Sequence, residues 1–185
     1  MRHLKMLCLF LGLVTLLPAV EGHHPYRDEY RHKTFGKKAL AAHSAKSTAG
    51  YAVHHSPAWG KGPAGYGKYM GAHLGGMVVK NSLQYGIGGL RKEDYHYTRS
   101  GKHGFLPRAG YALRRTVWVP GRHRPGHTVA AGRIAGNFGG AAVPAIVTGV
   151  GAGIASGGIG LGADAGANMA REFWPRRRHR PRRAG

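Results

Sequence analysis

The sequence predicts an all-α protein: glycine-grooved helices packed in the manner of a glycine zipper, with a disordered basic N-terminal arm and C-terminal tail. Three observations carry this. Glycines recur at every fourth position in four series: Gly67, Gly71 and Gly75; Gly132, Gly136 and Gly140; Gly149, Gly153 and Gly157; Gly158, Gly162 and Gly166. No charged side chain stands between Arg133 and Asp164. Apolar residues are interleaved with the later glycines, among them Ile134, Phe138, Val143, Ile146, Val147, Ile154, Ile159 and Leu161. Residues four apart share a helix face, so each series makes a bare groove that another backbone can enter closely. A glycine inside a helix costs about 1 kcal/mol relative to alanine, so such helices hold only where close packing offsets that cost. The competing reading is a Gly/Ala-rich loop; regular spacing, interleaved apolar residues and absent charge weigh against it.

Taken in order, residues 1–22 form an expected secretory signal peptide. Arg2 and Lys5 precede an apolar stretch over 6–17, and Ala19-Val20-Glu21-Gly22 offers small residues for cleavage. Cys8 is the only cysteine and lies inside that stretch, so neither a disulfide framework nor a thiolate metal site is expected. Residues 23–58 read as a flexible basic arm, with a short helix over 37–45 where Ala and Lys favour it. Residues 59–174 form the expected glycine-rich helical domain. It opens with a glycine-punctuated turn, and Pro63 suits a helix start. A helix over 64–83 then carries Gly67, Gly71 and Gly75. Gly86, Gly88 and Gly89 should break it before a connector reaching residue 104. A short helix is expected over 107–115 and an extended piece over 116–119, which is β-branched and aromatic. A basic loop follows over 120–127. Pro144 should break or kink the next helix, giving pieces over 128–142, 145–156 and 158–173, open to a hairpin or re-entrant arrangement. Pro175 stops the last helix. Residues 175–185 are a disordered tail.

Charge points to the partner class. The chain has 28 Lys and Arg against 7 Asp and Glu, a net charge of +21. A protein this basic attracts anionic surfaces: lipid, envelope polymer or nucleic acid. The anion-binding residues expected in the tail are Arg176, Arg177, Arg178, Arg180, Arg182 and Arg183. They follow Phe173-Trp174, the aromatic-then-cationic order of a membrane interface. At about 1.5 Å per residue, the uncharged run 134–163 is long enough to cross a bilayer once but not twice.

The blocks W-G-x-G-x-x-G-Y-G-K (59–68), Lys-Glu-Asp-Tyr (92–95), R-x-G-Y-A-x-x-R-T (108–116), Gly136-Asn137 and R-E-F-W-P (171–175) occur in an order that resembles an uncharacterised family of exported bacterial proteins. The resemblance covers about 59–175. It departs around Glu93-Asp94, where members carry an Asp-Pro-Arg-Tyr-like block, and in the middle, which is richer in glycine here. It implies export and envelope association, and no reaction.

Sites of other kinds are not supported. The thirteen histidines include His23-His24, His54-His55, His123 and His127. No H-E-x-x-H or cysteine pair accompanies them, so no metal and no cofactor are expected. Beyond residue 22 the acids are Asp28, Glu29, Glu93, Asp94, Asp164 and Glu172. Glu93 and Asp94 are neighbours whose side chains point apart. Asp164 is either a helix-surface residue, the simpler reading, or a buried charge partnered by Arg133 or Arg171. No serine sits in a G-x-S-x-G elbow. The G-x-G patterns near residue 150 lack a following G-K-[ST]. No catalytic residue and no small-molecule substrate are therefore inferred. The expectation is a non-enzymatic, exported protein of the cell envelope, periplasm or outer membrane. It would be held by glycine-grooved packing and by basic segments on an anionic membrane or polymer, with self-association open. The alternative is a secreted cationic protein that disrupts membranes or binds nucleic acid.

Overall fold

The computed structural model describes residues 25–54, 57–121 and 126–174. The expected signal peptide, His23-His24, His55, His123 and the six tail arginines lie outside the described residues.

The described chain is all-α apart from one small hairpin. Its elements are α1 (Pro25–Phe35), α2 (Lys37–His54), a 3-10 turn (Pro57–Trp59), α3 (Gly62–Leu90), α4 (Phe105–Val117), β1 (Trp118–Pro120), β2 (His127–Val129), α5 (Ala131–Thr148) and α6 (Val150–Phe173). The strands pair antiparallel, with Trp118 opposite Val129 and Pro120 opposite His127. α3 lies along α5, α6 folds back on α5, α4 covers α6, and α1 and α2 rest on α3.

The α3–α5 contact shows why glycines are needed. A Cβ placed on Gly140 would lie 2.6 Å from the Gly76 carbonyl oxygen, and one on Gly76 would lie 2.6 Å from the Gly140 carbonyl oxygen. A Cβ on Gly136 would lie 2.7 Å from the carbonyl oxygen of Lys80. The two backbones therefore touch, as the spacing of Gly132, Gly136 and Gly140 predicts. On α3 the register differs from expectation. Gly67 and Gly71 face no neighbour within 4 Å, and Gly75 makes only ordinary contact with Val143. The close approaches are instead at Gly76 and Gly88. Gly88 sits under the Tyr95 ring, so α3 runs on to Leu90 rather than breaking at Gly86.

Pro144 does not break α5, which continues to Thr148. Proline removes the amide that would bond the carbonyl four residues back, here that of Gly140. That carbonyl points at Gly76 across the contact, where no side chain stands. The break falls at Gly149, whose φ of +95° suits glycine. Gly149 is thus a hinge residue rather than a packing residue. In α6, Gly153 meets Ala145 and Gly157 meets the Phe138 ring, whereas Gly158, Gly162 and Gly166 face no described neighbour within 4 Å. Two of the third series pack, Gly153 and Gly157; the fourth series is bare.

The segment expected to be a flexible arm is helical over α1 and α2. Its polar composition hides a docking face of aromatic and small residues. Tyr30 meets Tyr85 edge-on at 6.2 Å, and Tyr51 meets Tyr66 and Tyr69 at 5.5 and 5.3 Å. Thr34 and Ser47 are buried, and the Asn81 amide donates to the Thr34 hydroxyl at 3.1 Å. Tyr69 stacks against His73 at 4.1 Å, with the buried Trp59 beside it. Nε2 of His43 donates to the His73 carbonyl at 3.1 Å, tying α2 to α3.

Candidate functional site

Two glutamates, both inaccessible to solvent, pin the connector 91–104 to the helices. Their side chains have side-chain exposures of 0% for Glu93 and 1% for Glu172. A buried carboxylate persists only when donors surround it. α5 begins without a side-chain cap of its own, and its first amides need acceptors. Glu93 supplies them. Its Oε1 accepts from the Ala131 amide at 3.1 Å and from Arg91 Nε at 2.9 Å, and its Oε2 accepts from the Gly132 amide at 3.2 Å. The Tyr95 hydroxyl also donates to Oε2. The negative charge thus sits at the positive end of the helix. Gly132 must be bare, because a Cβ there would strike the Tyr95 hydroxyl and the Gln84 carbonyl.

Glu172, near the end of α6, binds the other end of the connector. It accepts from the Tyr97 hydroxyl at 2.8 Å, the Ser100 hydroxyl at 2.6 Å, the Ser100 amide at 3.1 Å and Arg108 Nε at 3.3 Å. Arg108 also donates to the Glu172 carbonyl, and its guanidinium lies 4.4 Å over the Phe173 ring. Burial pushes the Glu172 carboxyl up, but the donors from Ser100, Tyr97 and Arg108 outweigh it and hold it at about 2.

Between the two glutamates lies a polar layer. Arg133, buried, sends Nη1 to the carbonyls of Arg115 and Thr116 at 3.0 and 2.9 Å, closing the end of α4. Its guanidinium lies 5.3 Å over the Tyr95 ring. Asn137 donates to Asp164 at 2.8 Å. Asp164 is therefore half-buried, with an amide partner; burial lowers the pKa of Arg133, and the nearby Asp164 charge opposes that lowering. Asn168 donates to the Thr116 hydroxyl at 3.1 Å. Arg115 donates from Nη2 to the His96 carbonyl at 2.8 Å, while its buried Nε and Nη1 reach no acceptor among the described residues.

Two surfaces remain open. One is the outer face of α6 with the adjoining corner of α5. Ile146, Val150, Ile154 and Ile159 are 69%, 76%, 62% and 71% exposed, beside bare Gly158, Gly162 and Gly166. The other is an open groove of about 490 Å³ lined by Tyr97, Thr98, Arg99, Ala170, Arg171 and Trp174. The sequence had marked Gly158, Gly162 and Gly166 on the first surface as a packing groove; the second was not picked out, although Arg171, Glu172 and Trp174 belong to one ordered block. Among the described residues no group of three or more His, Cys, Asp or Glu could hold a metal. Compared with protein-family models, curated proteins and solved structures, the chain matches none.

Proposed function

We propose that the protein is a non-enzymatic, exported envelope component that lies on an anionic membrane surface through the outer face of α6. The observation that carries this reading is the uncharged exposed stripe of Val150, Ile154, Gly158, Gly162 and Gly166. Each is four residues from the next, so consecutive members lie side by side on the helix surface, and all five are exposed. No described helix is long and apolar enough to cross a membrane, so the stripe suits a helix lying in the interface plane rather than spanning it. A net charge of +21 favours anionic lipid and disfavours a second copy, which would bring like charge together. The two buried carboxylates are saturated by structural donors, which supports a non-catalytic role.

The test is flotation of the full chain with phosphatidylcholine vesicles, with and without phosphatidylglycerol. Binding should require the anionic lipid, and Val150→Asp/Ile154→Asp should abolish most of it without loss of helicity. Undiminished binding by that variant, or equal binding to neutral vesicles, would overturn the reading. Release of trapped dye on binding would favour a membrane-disrupting protein instead.

A further inference from the structure

We propose that the groove at the end of α6 binds an acidic sugar: a carboxylate- or phosphate-bearing ring of an anionic polysaccharide. It is separate from the lipid-facing stripe. The stripe's apolar side chains, Val150 and Ile154, end about 16 residues before Ala170 of the groove, or roughly 24 Å of helix at 1.5 Å per residue, and only its bare glycines come nearer.

Two guanidinium groups supply the anion contact. Arg171 is exposed and makes no hydrogen bond or ion pair among the described residues. Arg99 donates one Nη2 hydrogen to the Trp174 carbonyl at 2.5 Å, which holds the guanidinium in place and leaves the fork edge on the other Nη2 hydrogen for a ligand. Such a fork matches a carboxylate or phosphate. The adjacent carboxylate, Glu172, is occupied by Tyr97, Ser100 and Arg108, so these two cations are not neutralised by it. Arg115, 4% exposed, donates to the carbonyl of His96, the residue before Tyr97, and has Nε and Nη1 unpartnered among the described residues. Its charge reaches the Tyr97 hydroxyl and adds to the positive potential there.

The ring contact comes from Trp174, 71% exposed at the groove edge. Its indole offers a flat apolar wall for the C–H face of a sugar, and the exposed Thr98 hydroxyl can meet ring hydroxyls. A polynucleotide also carries rings and anions, but strand-binding surfaces present successive aromatic platforms. Here a single exposed ring stands beside two arginines.

The test titrates the full chain with a hexamer of galacturonic acid, with neutral maltohexaose and with a decamer of deoxythymidylate, followed by calorimetry and tryptophan fluorescence. The galacturonate should bind, perturb the emission and outcompete the neutral hexamer. Arg171→Gln and Trp174→Leu should each weaken it by roughly tenfold, as for loss of one charge-assisted or stacking contact. Arg27→Gln removes the same charge from α1, which does not line the groove, and should leave the affinity within about twofold, since an exposed charge outside the site is largely screened. All four proteins should keep one circular dichroism spectrum, because the substituted side chains are exposed, and the same vesicle binding, because none of them belongs to the α6 stripe. Equal loss in Arg27→Gln and Arg171→Gln, no loss in either groove variant, or no binding of galacturonate would overturn the inference. So would tighter binding of the decamer that the same two variants abolish. Vesicle binding reads the α6 stripe alone, so failure of either proposal leaves the other standing.

Discussion

The glycine contact between α3 and α5 makes one substitution act in opposite directions at positions that look alike in sequence. At Gly140 a methyl would sit 2.6 Å from the Gly76 carbonyl oxygen and 2.7 Å from Lys80 Cβ. The first obstacle is backbone, so the helices must part. Overpacking of this kind costs about 1–3 kcal/mol, while exchanging glycine for alanine in a helix recovers up to about 1 kcal/mol. Gly140→Ala should therefore lose about 1–2 kcal/mol. Gly162→Ala meets nothing within 4 Å, so only the propensity gain remains, about 0.5–1 kcal/mol of added stability. At roughly 2–4 °C per kcal/mol for a chain of this size, the two variants should differ in Tm by about 3–12 °C. Urea denaturation followed by far-ultraviolet circular dichroism gives the free energies. Gly136→Ala should follow Gly140→Ala, and Gly158→Ala should follow Gly162→Ala. If Gly140→Ala is as stable as Gly162→Ala, close backbone contact is not what holds these helices.

Other outcomes follow from the buried polar groups. Glu172→Gln removes a buried charge facing Arg108, Tyr97 and Ser100; breaking a fully buried pair costs about 3–5 kcal/mol, and Arg108 is 31% exposed, so a loss of about 2–3 kcal/mol is expected in the same urea assay. Acid should act in two steps. Burial comes first in lowering His43 and His73 below 6.5; the bond to the His73 carbonyl opposes this at His43, while Lys46 presses on both and Lys80 on His43. Groups with depressed folded values stabilise above their unfolded value and lose that contribution as pH falls, so α2 should begin to loosen below pH 6.5. Glu172, depressed from 4.5 to about 2, gives a second loss between those values. Unfolding free energy measured from pH 7.5 to about 2 should show both steps, and His43→Gln should diminish the upper one.

Much of the helical frame was readable from spacing, because Gly132, Gly136 and Gly140 with Gly153 and Gly157 are placed by one physical need, close approach. What spacing cannot tell is which side of a helix finds a neighbour. Gly67 and Gly158 have the same local pattern as Gly140 but face open space, since partner placement is a long-range property. The folding of residues 25–54 was hidden for another reason: tyrosines, a threonine and a histidine build its interface, and composition scores these as polar. Glu93 and Glu172 stood out as rare acids in a basic chain. Their task was not legible, because it depends on the connector folding back over 39 and 72 residues to meet the Gly132 amide and Glu172.

The connector 91–104 has almost no regular structure, yet a carboxylate clamps it at each end. Segments of this kind are ordinarily where a chain breathes first and where proteases enter. Here the cleavable bonds after Arg91, Lys92 and Arg99 lie in a strap fastened at both buckles, so local opening must begin elsewhere. The strap also joins the first residues of α5 to the last turn of α6, so loosening one end removes support from two helices that meet only at Gly149 in sequence.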